Sequence, residues 1–258
     1  MAPYIILAFI ALVAVIIWRW KPSRVITAFQ LTDEHRQILQ QQVLFYQRLD
    51  EKEKLRFEQK LVVFLREVRI QGIGTDIDET DRIFVAASAV IPIFGFPEWQ
   101  YRNLTDVLIY PDTFNEEFQF EGKDRAILGM VGSGYMNGKM ILSRHALRQG
   151  FEVRSDKSNT AIHEFVHLLD KSDGAVDGIP ENLLQHQYTI PWLHLMQQQI
   201  EQIKANRSDI NPYAATDKSE FFAVVSEYFF ERPELLQQKH PELYDYLEKI
   251  FNQSPAER

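Results

Sequence analysis

The chain has 258 residues, of which 45% are hydrophobic, so it is long enough to bury a sizeable core in one domain or two closely packed subdomains. Its formal net charge of −8, without a basic stripe, argues against direct contact with nucleic acid. The absence of cysteine excludes a disulfide framework, a thiolate zinc site and a cysteine nucleophile.

Residues 2–20 form an apolar run that is interrupted by Arg19. A helix of this length measures about 28 Å, just sufficient to cross the hydrocarbon core of a membrane. Cationic residues follow the run and none precedes it, which favours a cytoplasmic location for the rest of the chain. We therefore expect a transmembrane anchor at residues 1–21 in the inner membrane, with residues 22–258 facing the cytoplasm. An apolar helix packed on the domain, or one lying at the membrane surface, is the alternative.

The next part of the chain carries signals for helix ends. The acidic turns that open residues 32–49 and 50–68 predict two helices, which together form a helical hairpin over about residues 31–68. A third helix is expected over residues 81–90. It should end before Pro92, because proline disfavours helical backbone in the residue that precedes it.

Two strands and two further helices complete the predicted elements. The strands are expected at residues 107–110 and 139–143. The helices are expected at about residues 191–206 and 241–251. Many helices with few strands predict an α+β fold that is mostly helical.

The segment His163-Glu164-Phe165-Val166-His167 lies inside an apolar run and predicts a helix. Histidines four positions apart share one helix face, so both imidazoles could hold one Zn²⁺ while Glu164 approaches a water molecule there. This pattern is typical of zinc peptidases. Because five letters also arise by chance, the interpretation needs a third ligand.

One candidate for that ligand lies directly after the helix. If the chain turned sharply at Asp170, Asp173 could reach a metal held by the histidines. An aspartate makes such a turn less readily than a glycine does, which argues against this route. Asp170 could instead accept a hydrogen bond from a ligand imidazole or cap the end of the helix.

A second candidate is a glutamate from another helix, predicted over residues 217–230 with Asp217 as its N-cap. Glu220 and Glu227 lie seven positions apart on this helix, which is close to two turns, so they share a face. From spacing alone, either glutamate could be the third ligand.

The combination of His163–His167 with Tyr213 and the segment Glu220-Phe221-Phe222-Ala223 resembles the Mlc titration factor A family of bacterial zinc metallopeptidases. Its layout is also similar to the catalytic domain of anthrax lethal factor. The resemblance covers the chain from about residue 22 onward. It implies that His163, His167 and Glu220 bind zinc, that Glu164 is the general base, and that Tyr213 directs its phenol at the reacting carbonyl. Glu227 then becomes a candidate for orienting a ligand histidine.

The expected domain is a zincin-like metallopeptidase that uses one Zn²⁺ to hydrolyse a peptide or protein substrate, as an aminopeptidase or an endopeptidase. By analogy with zincins, the strand ahead of the active helix forms the cleft edge, so residues 140–142 would line the substrate. The competing hypothesis is a binding protein that sequesters a transcriptional regulator, as the family's namesake binds the repressor Mlc. The intact Glu164 argues against that hypothesis, since a structural metal site has no use for a general base.

Overall fold

The computed structural model describes residues 29–122, 125–153 and 156–257. Within these ranges, no helix is both long and apolar enough to span a membrane. The predicted anchor at residues 1–21 lies outside the described residues.

The described chain is mixed α and β and mostly helical, as the sequence predicts. Its α-helices are α1 (Asp33–Gln42), α2 (Leu44–Gln47), α3 (Glu51–Glu67), α4 (Glu79–Ile93), α5 (Arg144–Glu152), α6 (Thr160–Asp170), α7 (Thr189–Lys204), α8 (Lys218–Glu231), α9 (Pro233–Lys239) and α10 (Pro241–Phe251). Its strands are β1 (Arg69–Gly72), β2 (Asp106–Tyr110), β3 (Gly129–Val131) and β4 (Lys139–Ser143).

Polar side chains start the first helices at the predicted positions. Thr32 accepts a hydrogen bond from a backbone N–H in the first turn of α1, and Asp50 does the same for α3. The helix predicted over residues 32–49 is interrupted at Val43, whose backbone is extended and whose side chain is buried. A β-branched residue accepts extended backbone readily. The chain therefore changes direction at Val43 and brings this side chain into the core.

Helix α4 begins earlier and ends later than predicted, and it contains Pro92. Proline in the last turn removes a single backbone hydrogen bond, which costs little beside the burial of most of α4 in the core. The side-chain amide of Gln253 donates to the carbonyl oxygens of Ile91 and Pro92, at 2.9 and 3.4 Å. The carbonyl of Ile91 also accepts from the backbone N–H of Phe94, so Gln253 adds a second hydrogen bond there and provides a donor for the carbonyl of Pro92 at the helix end.

The four strands form one sheet in the order β1-β2-β4-β3. Strands β1, β2 and β4 are parallel, and β3 pairs antiparallel with β4 at one edge. Strands β2 and β4 confirm the two predicted strands. Because β4 lies between β2 and β3, Met140 and Leu142 are completely buried. The expectation that residues 140–142 line the cleft is therefore wrong, and β3 is the strand at this edge of the sheet.

Helices α6 and α8 are held by aromatic packing on several sides. Helix α6 contacts α4, α5, α8 and strands β3 and β4. On α6, the ring of Phe165 lies 5.6 Å from that of Phe64 and 5.2 Å from that of Tyr101. On α8, Phe222 stacks on Phe251 of α10 with ring centroids 5.8 Å apart. Each fully buried phenylalanine contributes about 1.5–3 kcal/mol, so both helices are fixed supports for side chains on their polar faces.

Candidate metal centre and active-site cleft

Two capping residues fix where α6 and α8 begin. The Asn159 Oδ1 atom accepts a hydrogen bond from the backbone N–H of Ile162 at 3.1 Å and starts α6. The Asp217 Oδ1 atom accepts one from the backbone N–H of Glu220 at 2.9 Å and starts α8, as predicted. The caps place His163 in the first turns of α6 and Glu220 in the first turn of α8, where the two helices meet.

His163, His167 and Glu220 converge between these helices. The Nε2 atom of His163 lies 3.0 Å from Glu220 Oε2 and 3.0 Å from Nε2 of His167. The Nε2 atom of His167 lies 3.6 Å from Glu220 Oε2. Each residue offers one ligand atom, and these atoms all lie within 4.8 Å of one another. The structure thus brings together the three side chains that the resemblance implies as metal ligands.

Hydrogen bonds on the far sides of the imidazoles suit this cluster for a metal ion. The Nδ1 atom of His163 lies 2.7 Å from Glu227 Oε1, so it is the Nδ1–H that donates to the carboxylate. The Nδ1 atom of His167 lies 3.0 Å from Ser219 Oγ, whose hydroxyl donates to Asp170 Oδ2 at 3.2 Å. When both Nδ1 atoms carry the ring proton, each Nε2 atom keeps a lone pair. Both lone pairs are then available to a cation that lies between the two imidazoles and Glu220.

The charges of the cluster also favour a cation. Burial lowers the pKa of His163, but hydrogen bonds with Glu220 and Glu227 outweigh this effect and raise the pKa to about 10. Burial raises the pKa of Glu220, but hydrogen bonds with His163 and His167 outweigh it and hold the pKa far below its ordinary value. The residues therefore stabilise positive charge at their centre. Two imidazole nitrogens and one carboxylate oxygen are a ligand set that fits Zn²⁺ and leaves a position open.

Glu164 lies beside this cluster and against the edge strand. Its side chain is buried, and no residue of the described ranges donates a hydrogen bond to its carboxylate. Burial raises its pKa, while the neighbouring His163 and His167 act to lower it. Gly129 of β3 makes room for Glu164, because a Cβ atom on Gly129 would lie 2.7 Å from Glu164 Cγ and 2.8 Å from Oε1. Sequence reasoning missed Gly129, although glycine within a strand often marks such a close approach.

Tyr213 lines the same cavity as Glu164 and lies in a short 3-10 turn spanning Pro212–Ala215. Its backbone N–H donates to Asn211 Oδ1 at 3.0 Å, which orients the turn. The side chain is half exposed, and its ring centroid lies 6.1 Å from that of His163. Burial and then the charge of Glu220 raise the pKa of Tyr213 to about 12, so the phenol keeps its proton at neutral pH.

The rival ligand Asp173 does not join the metal-binding group among the described residues. Its two carboxylate oxygens accept backbone hydrogen bonds from Ala175 and Glu181, so it stabilises the loop after α6. Asp170 reaches His167 through Ser219 and also accepts from the backbone N–H of Gly178. Ser219 was not singled out from the sequence, since a serine beside Glu220 gives no signal of its own.

The cluster opens into a cleft of about 700 Å³. Strand β3 forms one wall and Tyr213 with the start of α8 forms another. Glu164 and the three converging residues also line it. The cleft therefore has a general-base candidate, a hydrogen-bond donor and an open strand edge around one metal-binding group.

Comparison with known proteins identifies the family of the chain. The model of the family described as glucose-regulated metallo-peptidase M90 matches residues 17–252. The uncharacterized protein slr2042 of Synechocystis sp. is 32% identical over 84% of this chain and 83% of its own length. The Mlc titration factor A of Serratia proteamaculans is 28% identical over 81% of this chain and 84% of its own length, and that of Salmonella arizonae is 30% identical over 76% and 81%. The resemblance found in the sequence is confirmed, and the chain belongs to the glucose-regulated metallo-peptidase M90 family.

Proposed function

We propose that this protein is a zinc-dependent peptidase in which His163, His167 and Glu220 hold the metal. The observation that carries the proposal is the convergence of these three side chains, with both Nδ1 atoms held by other residues. Membership of a metallopeptidase family supports it. A bound zinc ion would supply Lewis acidity, which polarises a substrate carbonyl and lowers the pKa of a water molecule.

In this proposal Glu164 moves the protons. A buried carboxylate with a raised pKa accepts a proton from water more readily than an exposed one, and returns it to the leaving amine. Tyr213 donates its phenolic hydrogen to the oxygen of the substrate carbonyl as negative charge develops there. The phenol keeps its proton at neutral pH, so this hydrogen is available to donate.

The edge strand β3 gives the proposed peptide a place to bind. The backbone N–H of Ser143 donates to the carbonyl of Leu128, and that of Gly132 donates to the carbonyl of Lys139. The residues that flank β3 are thus hydrogen-bonded to β4, and by alternation Met130, which pairs with Ile141, faces β4 as well. In an antiparallel ladder the residues between them, Gly129 and Val131, direct their backbone groups to the opposite side. An extended substrate could add to this free edge beside Glu164.

The test is hydrolysis of internally quenched peptides by the purified protein, before and after removal of metal with a chelator. We expect hydrolysis that the chelator abolishes and added Zn²⁺ restores. The matched controls are Asp173→Ala, which should keep both zinc and turnover, and Glu220→Ala, which should lose both. Hydrolysis that survives complete removal of metal would overturn the proposal.

The names of two relatives favour a second function, binding of the regulator Mlc or a similar transcriptional regulator. Sequestration requires binding without turnover, so Glu164→Gln should keep it while losing hydrolysis. Size-exclusion chromatography of Glu164→Gln mixed with purified Mlc tests this function. Comigration supports it, and separate elution at concentrations of tens of micromolar rejects Mlc as the partner.

A further inference from the structure

A second cavity, of about 460 Å³, adjoins the proposed active-site cleft. The two share Val131 of β3 and Lys171 at the end of α6. Strand β3 passes Glu164 at Gly129. Val131 lies two residues further along the strand, a distance of about 7 Å. A substrate lying along β3 would therefore place a side chain or terminus near this cavity, within a few residues of the bond at Glu164.

The lining of this cavity is rich in cations. Arg102, Lys139 and Lys171 line it together with a single carboxylate, that of Glu98. The ammonium of Lys171 donates to the backbone carbonyl of Gly132 at 3.2 Å, a neutral partner that leaves its charge uncompensated. Within the described ranges, no carboxylate forms an ion pair with Arg102, Lys139 or Lys171.

This positive charge contrasts with its surroundings. The chain carries a net charge of −8, and the adjoining cleft is lined by four carboxylates: Glu164, Asp177, Asp217 and Glu220. Unpaired cations beside a concave wall attract anionic groups more strongly than the same cations on a flat surface. The side-chain amides of Asn137 and Asn182 add uncharged hydrogen-bond donors to the same lining.

We propose that this cavity is a specificity subsite that binds a carboxylate of the peptide substrate, either an aspartate or glutamate side chain or the free carboxyl terminus. The inference rests on the proposed peptidase function, since it assigns the cavity to the same substrate. The carboxylate would accept hydrogen bonds from Lys139, Lys171 and Arg102, and charge-assisted hydrogen bonds of this kind are stronger than those between neutral groups.

Binding without turnover tests the subsite directly. Labelled peptides are titrated with zinc-loaded Glu164→Gln, and binding is followed by fluorescence anisotropy. The peptides of the first set come in pairs that differ only by glutamate or glutamine at one position. All members of this set end in an amide. The peptides of a second set contain glutamine at each varied position and end in either an amide or a free carboxylate. The first set therefore tests an acidic side chain as the ligand, and the second tests the carboxyl terminus.

In one of the two sets, we expect a peptide that carries the additional carboxylate to bind about 10-fold more tightly than its uncharged partner. Lys139→Glu and, separately, Arg102→Glu in the same background should remove or reverse this preference. Two variants are used because Lys139 lies in β4 whereas Arg102 lies in an exposed loop, so a folding defect in one leaves the other informative. The control is Lys52→Glu, which makes the same change of charge at an exposed residue in the first turn of α3, outside both cavities.

Equal affinity for every charged and uncharged pair would overturn the subsite, as would a preference that Lys139→Glu and Arg102→Glu leave unchanged. The parallel measurement is kcat/KM of the unchanged protein with the same peptides. Hydrolysis that discriminates neither between glutamate and glutamine nor between a free carboxylate and an amide at the terminus rejects the subsite and leaves the peptidase assignment intact. Discriminating binding without any hydrolysis rejects the peptidase assignment and retains the cavity as a carboxylate site.

Discussion

Replacing Gly129 with alanine should disable Glu164 without disturbing the metal-binding residues. The new Cβ atom would lie 2.7 Å from Glu164 Cγ. Carbon atoms in contact prefer separations of about 3.5–4.0 Å, so the side chain of Glu164 must retreat by about 1 Å. A displacement of this size in a catalytic group costs about 100-fold in rate. The three atoms closest to the added Cβ all belong to Glu164, so zinc content should stay unchanged.

The assay combines kcat with a fluorogenic peptide, zinc content by atomic absorption, and the free energy of unfolding. Overpacking of this kind costs about 1–3 kcal/mol of stability. That cost should disappear when Gly129→Ala is made in a Glu164→Ala background, because the clashing side chain is then gone. Gly129→Ala with unchanged turnover and an unchanged free energy of unfolding would refute the argument that Gly129 is required for the position of Glu164.

Three further predictions concern the proposed ligands and their neighbours. Alanine at His163 or Glu220 should abolish stoichiometric zinc binding in atomic absorption, whereas Asp173→Ala should retain zinc; the opposite pattern would identify Asp173 as the ligand. Glu227→Gln should weaken zinc binding about 10- to 100-fold in competition with a chelator, because it removes the charged acceptor of an imidazole N–H, and unchanged affinity would exclude this role. Tyr213→Phe should lower kcat and kcat/KM together by roughly 10- to 1000-fold with zinc content retained, and wild-type turnover would remove Tyr213 from the mechanism.

Helix caps and apolar spacing in the sequence correctly predicted helices that surround the candidate site. The cap at Asp217 and the helix it starts are present, and α10 has the predicted bounds. Spacing alone could not distinguish Glu220 from Glu227, because both lie on one face of α8. In the fold they lie on opposite sides of one imidazole, with Glu220 against Nε2 of His163 and Glu227 against Nδ1. Only the packing of α8 on α6 decides which oxygen meets which nitrogen.

The edge of the cleft could not be predicted in the same way. Strand β3 has three residues, beginning with Gly129, which are too few to show the alternation that identifies a strand. Strand β4 is more buried than β3, and its sequence accordingly shows a clear apolar pattern. The stronger signal therefore indicated an interior strand, and the strand that forms the cleft was missed. Pro92 is a similar case, since tertiary burial of α4 outweighs the local preference of proline.

The central claim is that Glu164 drives hydrolysis at a metal centre held by His163, His167 and Glu220. Turnover of Glu164→Gln, measured at a zinc content equal to that of the unchanged protein, tests it most directly. The substitution removes the proton acceptor and leaves the three proposed ligands in place. We predict unchanged zinc content and a loss of turnover of at least about 100-fold. A zinc-loaded Glu164→Gln that hydrolyses peptides at the unchanged rate would contradict the claim.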